Sequence, residues 1–446
     1  MAPHANDSPN GNSTSSPLNP RVHAASTDAA IAGENEFAAH NYHPLPVVFS
    51  RAQGIYVWDP EGRKYIDFLS AYSAVNQGHC HPELVKALCD QAGRLTLSSR
   101  AFYNDVFPKW AELVKNVFGY DMVLPMNTGA EAVETAIKVA RKWAYKVKGV
   151  EQGKALVFSV EGNFHGRTMA AISLSTDPES RDNYGPYVPN IGSKIPSTGK
   201  TIRFNNVADI EEALEAHGKD TAAFIIEPIQ GEAGVVVPDD DYLTRVHELC
   251  KKHNVLLICD EIQTGIARTG KMLCSQWAGI KPDIIALGKA IAGGMYPVSA
   301  VLSSKEIMLV IEPGTHGSTF GGNPLGAAVS IRALELIKEE DMAGNAEKLG
   351  RIFRDSITAL KSPVVQTVRG KGLLNAVVID ESKTNGRTAW DLCISLKNKG
   401  VLAKPTHGNI IRFAPPLVIT EEELRKALGV ITEAIEGLPN AEKAVH

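Results

Sequence analysis

Val255-Leu-Leu-Ile-Cys-Asp260-Glu261 and Pro282-Asp-Ile-Ile-Ala-Leu-Gly-Lys289 decide the fold of this chain. Each is an apolar run of strand length that ends on charged residues. A run apolar at every position, rather than at every second one, belongs to a strand covered on both faces. Working outward, the same signal recurs at residues 122–126, 155–160, 222–227, 284–287 and 299–302. Helical stretches separate these runs. After Thr128-Gly129 the apolar residues Val133, Ile137, Ala140 and Ala144 recur at a helical period, with Lys138, Arg141 and Lys142 between them. Strands alternating with helices predict an α/β fold around a mostly parallel sheet.

The flanks read differently. Residues 54–68 hold two short aromatic and β-branched runs around Pro60-Glu61-Gly62, a hairpin signal. Beyond helical stretches at 324–338 and 343–360, residues 364–379 look strand-like, 387–399 helical, 410–413 a strand and 421–435 a last helix. The expected organisation is a tail over residues 1–26, a small α+β domain built from 27–81 and 336–446, and a large α/β domain over 82–335. The tail is rich in Asn, Ser, Pro and His and is expected to be disordered. It holds no apolar stretch and one arginine, Arg21, which suits neither a signal peptide nor an Arg-rich presequence, so a cytoplasmic location is expected over a mitochondrial one. Asn12-Ser13-Thr14 matches a glycosylation sequon and reads as accidental in that context.

With 446 residues the chain exceeds what one hydrophobic core organises. A net charge of −4 offers no reason to expect nucleic acid or an anionic membrane as partner. The six cysteines lack paired spacing, so reduced thiols are expected rather than a disulfide framework or zinc site; Cys250 and Cys259 read as buried small hydrophobes. No metal is expected.

The chemistry gathers where the strands end. Asp260 and Glu261 sit at the carboxyl end of one strand, where open α/β sheets bind ligands. Lys289 follows another. Pro125-Met-Asn-Thr-Gly-Ala130 opens the amphipathic helix, and its free N–H groups form an anion site suited to phosphate. Singly, these are a loop lysine, a metal ligand or N-cap, and ordinary capping. Together they match what pyridoxal 5′-phosphate (PLP) requires: an amine for its aldehyde, a carboxylate for its ring nitrogen and a phosphate cradle. Burial would make the Lys289 amine more nucleophilic.

Asp260-Glu-Ile-Gln-Thr-Gly-Ile-Ala-Arg-Thr-Gly270 followed by Leu287-Gly-Lys289-Ala290 resembles the signature of the class III aminotransferases, PLP enzymes of fold type I. The likeness runs from about residue 36 to 435. It is strongest toward the members that act on ornithine, through His40-Asn-Tyr-His-Pro-Leu-Pro46, 68–81, 227–234, 316–324 and 404–416. The resemblance implies that Lys289 binds the cofactor's aldehyde carbon and then moves the substrate proton. It implies that Asp260 pairs with the ring nitrogen, Gln263 bonds the phenolic oxygen and Phe164 stacks on the ring. Thr128, Gly129 and Ala130 would hold the phosphate, with Thr319 reaching it from the other subunit of a homodimer.

For substrates it implies L-ornithine and 2-oxoglutarate, exchanged in a ping-pong cycle that yields glutamate 5-semialdehyde and links arginine breakdown to proline. Tyr42 and Arg167 would grip ornithine's α-carboxylate, and Tyr72 would line the pocket. Glu232 would pair with Arg412 until 2-oxoglutarate claims that arginine. A fixed Glu232–Arg412 ion pair and a packing role for Tyr42 stand beside those readings. Glu227 and His165 are expected behind the contact residues; in the ornithine enzymes a tryptophan is usual at the position of His165. The residues around 193–201 exceed the family pattern and are expected to form a surface loop. N-acetylornithine or 4-aminobutyrate transfer is the nearest alternative activity. A catalytically silent scaffold on the same fold is the alternative of another class, and it would need none of Lys289, Asp260 and Gln263.

Overall fold

The computed structural model describes residues 22–444, and the expected disorder of the tail falls mostly outside them. Two compact units are distinguished, one of residues up to 52 together with 57–64, the other of 53–56 and 65 onward. In the first, a helix at Thr27–Phe37 is capped by Ser26. Its later stretch turns at 59–63, where the Arg63 carbonyl accepts from Asp59 N and the Asp59 carbonyl from Gly62 N. That turn joins strands Tyr56–Trp58 and Lys64–Asp67, as the hairpin signal predicts.

The second unit is organised by a seven-stranded sheet. Its strands are β1 (Met122–Met126), β2 (Leu156–Phe158), β3 (Ile191–Gly192), β4 (Thr221–Ile226), β5 (Leu256–Asp260), β6 (Ile284–Leu287) and β7 (Ser299–Ser303), in the order β1-β7-β6-β5-β4-β2-β3. Only β7 runs against its neighbours, pairing antiparallel with β1 and β6, while the remaining pairs are parallel. Every residue of β4, β5 and β6 is buried, which is why their sequences show no alternation. Helix α1 (Gly129–Trp143) lays Val133, Ala136, Ile137 and Ala140 onto the sheet, against Ala223, Ile225, Ile258 and Ala286 among others. Fully burying a side chain the size of Val133 or Ile137 contributes about 1.5–3 kcal/mol, and an alanine methyl about 0.8.

The sequence from 364 onward resolves into a four-stranded antiparallel sheet of β8 (Val365–Lys371), β9 (Leu374–Ile379), β10 (Lys404–Thr406) and β11 (Ile410–Phe413), ordered β8-β9-β11-β10. Phe413 packs edge-on against Phe68 and tilted against Phe353. Ile66 and Asp67 pair with Val401 and Leu402, so early and late residues of the chain meet in one layer. The 193–201 segment departs in part from a free surface loop. Residues 194 and 196–200 are exposed, but Ser193 and Ile195 are buried, and Ser193 Oγ donates to the Leu174 carbonyl at 2.6 Å. Cys250, Cys259, Cys274 and Cys393 are buried thiols, Cys80 and Cys89 exposed ones. Among the described residues no helix is long and apolar enough to cross a membrane.

Candidate active site

Strands β1, β2, β4, β5 and β6 all point one way, so their carboxyl ends share an edge of the sheet. The chain leaving each carries a predicted site residue: Thr128 after β1, Phe164 and His165 after β2, Glu227 after β4, Asp260 ending β5, Lys289 after β6. Register brings them together. Ile226 pairs with Cys259 and Asp260 with Ala286, so Glu227 and Lys289 leave their strands on either side of Asp260.

Alternation along the strand separates the two carboxylates. Glu261 is turned inward, accepting from Thr264 Oγ1 (2.6 Å), Ser275 N (2.7 Å) and Cys274 N (2.9 Å), and serves as a buried internal cap. Asp260 lines a cavity of about 220 Å³ with Gly129, Ala130, Phe164, Gln263 and Lys289. Its Oδ1 accepts from Ile262 N at 3.1 Å, and its Oδ2 lies 2.8 Å from His165 Nδ1. An ionised carboxylate only accepts, so Nδ1 carries the proton; Nε2 then faces Ser159 Oγ at 3.2 Å. Asp260 and His165 are both buried.

Lys289 lines the same cavity and is partly buried. Burial pushes its ammonium below the usual lysine range, while Asp260, Glu227 and Glu232 oppose that shift and Arg412 adds to it. Its φ of 46° is left-handed, a strained backbone for a residue with a side chain. Glu227 accepts from Phe164 N (2.9 Å) and Gly231 N (3.1 Å). Its carboxyl is lifted to about 7, chiefly by burial and also by Asp260, while His165 and these N–H groups oppose the rise.

The helix start is an open anion cradle. Thr128 and Glu131 form a capping box that satisfies the N–H groups of Thr128 and Glu131. Those of Gly129 and Ala130, on the cavity wall, have no carbonyl before them in the helix. Two glycines stand close to residues of the cavity. A Cβ on Gly231 would stand 1.6 Å from Gln263 Oε1, and one on Gly288 would meet Ile262 at 3.3 Å and the Gly129 Cα at 3.6 Å.

A second cluster lies on the four-stranded sheet. Arg412 of β11 is buried and holds Glu232 through Nη1 (2.8 Å) and a longer Nη2 contact (3.4 Å). Its guanidinium stands 5.0 Å from the Tyr72 ring centre, and its Nε is buried without an acceptor. Arg167 donates from Nη1 to Ser180 Oγ (3.0 Å), with its guanidinium 5.5 Å from the Phe164 ring. Thr319 is exposed, beside Ser318, whose Oγ accepts from Asn127 Nδ2 at 2.9 Å. Tyr42 belongs to the first unit and is exposed outside its helix. Sequence reasoning passed over Ser159, Ile262, Gly231 and Lys404. Of these only Lys404 carried a signal, as the first residue of the 404–416 segment that also holds Arg412.

The geometry therefore offers a cavity with two spare backbone donors, a buried carboxylate, a partly buried amine and, near them, an arginine with an unused donor. An aminotransferase class-III family model matches residues 37–435. An ornithine aminotransferase of Emericella nidulans is 70% identical over 424 residues, covering 95% of this chain and 93% of the relative. Among solved structures, the ornithine aminotransferase of Toxoplasma gondii, with PLP at partial occupancy in its active site, is 45% identical at a TM-score of 0.90, over 94% of this chain and 96% of that one. An acetylornithine aminotransferase of Elizabethkingia anophelis is 50% identical at a TM-score of 0.82, over 92% and 99%. By its strand ends, its cradle and these likenesses, the chain belongs to the class III aminotransferases.

Proposed function

We propose that the chain transfers the δ-amino group of L-ornithine to 2-oxoglutarate, releasing glutamate 5-semialdehyde and glutamate. The observation that carries this reading is that Lys289 and Asp260 line one cavity, with the Glu232–Arg412 pair near enough to act on the Lys289 charge. Class III aminotransferases are PLP-dependent, and the residues here fit that cofactor. The unpaired N–H groups of Gly129 and Ala130 suit its phosphate, Phe164 lines the cavity for a ring, and Asp260 offers a fixed carboxylate.

Bound there, PLP supplies an electron sink for charge developing at the substrate carbon. The chain supplies the rest. Lys289 Nζ, kept basic but less readily charged by burial, takes the proton from ornithine's δ-carbon and returns it on the other side of the transfer. Asp260, oriented by His165, would hold the ring-nitrogen proton. Gln263, which lies beside Gly231, would meet the phenolic oxygen. Arg167 takes ornithine's α-carboxylate, and Tyr72 bounds the pocket beside Arg412. Tyr42 is assigned to the same carboxylate on sequence resemblance alone. Glu232 masks Arg412 while ornithine is bound, and 2-oxoglutarate displaces it. Two copies would complete each site, with Thr319 reaching the partner's phosphate; exposed Phe102, Tyr103 and Phe320 support a buried interface on that side of the reading.

The test is a half-reaction without oxo acid. PLP-loaded protein is mixed with L-ornithine, N-acetylornithine or 4-aminobutyrate while the absorbance of the lysine-bound cofactor is followed. Bleaching by ornithine, lost in Lys289→Ala, is expected. Faster bleaching by one of the other amines overturns the substrate, and no lysine-bound band overturns the cofactor.

A further inference from the structure

Arg167 is exposed, and a long exposed side chain has many rotamers to lose. A carboxylate ligand that must fix such an arginine binds against that loss, unless the protein has fixed it beforehand. Here the fixing is visible. Arg167 Nη1 donates to Ser180 Oγ at 3.0 Å, and among the described residues Ser180 is the hydrogen-bond partner of this guanidinium. Ser180 is 4% exposed, so bulk water does not compete for its hydroxyl. That hydroxyl has one proton to give, and Asp177 Oδ2 accepts it at 2.7 Å. Its lone pairs are left for Arg167, which only donates. Asp177 is held in turn: its Oδ1 accepts from Glu179 N at 3.0 Å, and its own N–H donates to Ser175 Oγ at 3.1 Å.

The next residue ties this turn to the helix that follows Arg167. Arg181 Nη1 donates to the carbonyls of Ile172 (2.8 Å) and Ser175 (2.7 Å), at the end of the helix Met169–Leu174. Its guanidinium stands 4.0 Å from the Tyr187 ring centre, and the Tyr187 hydroxyl donates to the Arg181 carbonyl at 2.6 Å. Arg167 and Ser180 are therefore referred to the two ends of one short helix, and their meeting does not depend on a mobile loop. Engaging Nη1 leaves the Nε and Nη2 side of the Arg167 guanidinium, a two-donor edge matched to a planar carboxylate. We propose that Ser180 is a positioning residue for the substrate carboxylate, holding Arg167 by one nitrogen so that the remaining edge receives the carboxylate side-on. The inference deepens the reading that Arg167 takes ornithine's α-carboxylate, and it rests on that reading.

The ornithine half-reaction of the PLP-loaded enzyme, followed by stopped flow over a range of concentrations, gives a limiting rate and a half-saturating concentration. Ser180→Ala is expected to raise the half-saturating concentration about fivefold, the worth of one hydrogen bond to an exposed charged group, and to leave the limiting rate within about twofold. In an Arg167→Ala background the same substitution is expected to change neither quantity by more than about twofold, because the group it positions is gone. A loss there as large as in the native background shows a general disturbance of the fold and overturns the proposal. A loss confined to the limiting rate overturns it as well, as does a native-like Ser180→Ala beside a damaged Arg167→Ala. If Arg167→Ala itself takes up ornithine as the native enzyme does, the reading of Arg167 fails and the proposal fails with it, an outcome distinct from the other three.

Discussion

Replacing His165 with leucine removes the Nδ1–H that Asp260 Oδ2 accepts at 2.8 Å. Both residues are buried, so no bulk water takes over, and a buried carboxylate oxygen is left without its donor. A hydrogen bond to a charged group is worth about 1.5–3 kcal/mol, which corresponds to roughly ten- to a hundredfold in an equilibrium or rate that depends on it. If Asp260 serves the ring nitrogen, that loss falls on the ornithine half-reaction and on PLP retention. Two further substitutions separate the donor from the shape. In His165→Asn the amide nitrogen stands near the place of Nδ1, and the rate is expected within about threefold of the native one. In His165→Gln the amide reaches toward Ser159, near the place of Nε2, and the loss is expected to match that of leucine. The assay is stopped-flow decay of the cofactor band with L-ornithine, alongside PLP release by dialysis. Equal loss in the asparagine and leucine variants would refute the reasoning, because packing and not the donated proton would then be what matters. Native behaviour in the leucine variant would refute it from the other side.

Two other outcomes follow from the same geometry. Gly231→Ala places a Cβ 1.6 Å from Gln263 Oε1; the flexible glutamine swings away, so PLP affinity falls by about tenfold while Tm of the apoprotein shifts by only about 2 °C, and an unchanged PLP titration would show that Gln263 is not used. Glu227, lifted from 4.5 to about 7 in the fold, binds more protons folded than unfolded between those values. Its contribution is therefore most favourable below pH 4.5 and lost as pH rises through 7, by up to about 3 kcal/mol. Urea unfolding of the apoprotein and its Glu227→Gln variant from pH 5 to 8 should show a stability difference that moves toward the variant with rising pH, and a flat difference would contradict the burial assigned to this carboxyl.

The sequence by itself determined the sheet and its two principal residues. Runs such as Leu256–Asp260 and Ile284–Leu287 are apolar at every position because both faces of their strands are covered, so they announce burial without any partner being known. The capping box at Thr128 and Glu131 is local, and so is the helix it starts. What the residues could not show is whatever depends on contacts between distant positions. Asp260 and Glu261 are adjacent and alike, yet the pleat turns one to the cavity and the other to Thr264, Cys274 and Ser275. His165 meets Asp260 across 95 positions, and Glu232 meets Arg412 across 180. Lys404 gains its place only from the register of β10 against β11. The 193–201 segment read as a surface loop because it exceeds the family pattern, and only the packed fold shows Ser193 and Ile195 pinning it down. Strand identity is written in composition over five or six neighbouring residues. Which side chains share a cavity is set by register, crossover and burial, quantities that exist only once the chain has closed on itself.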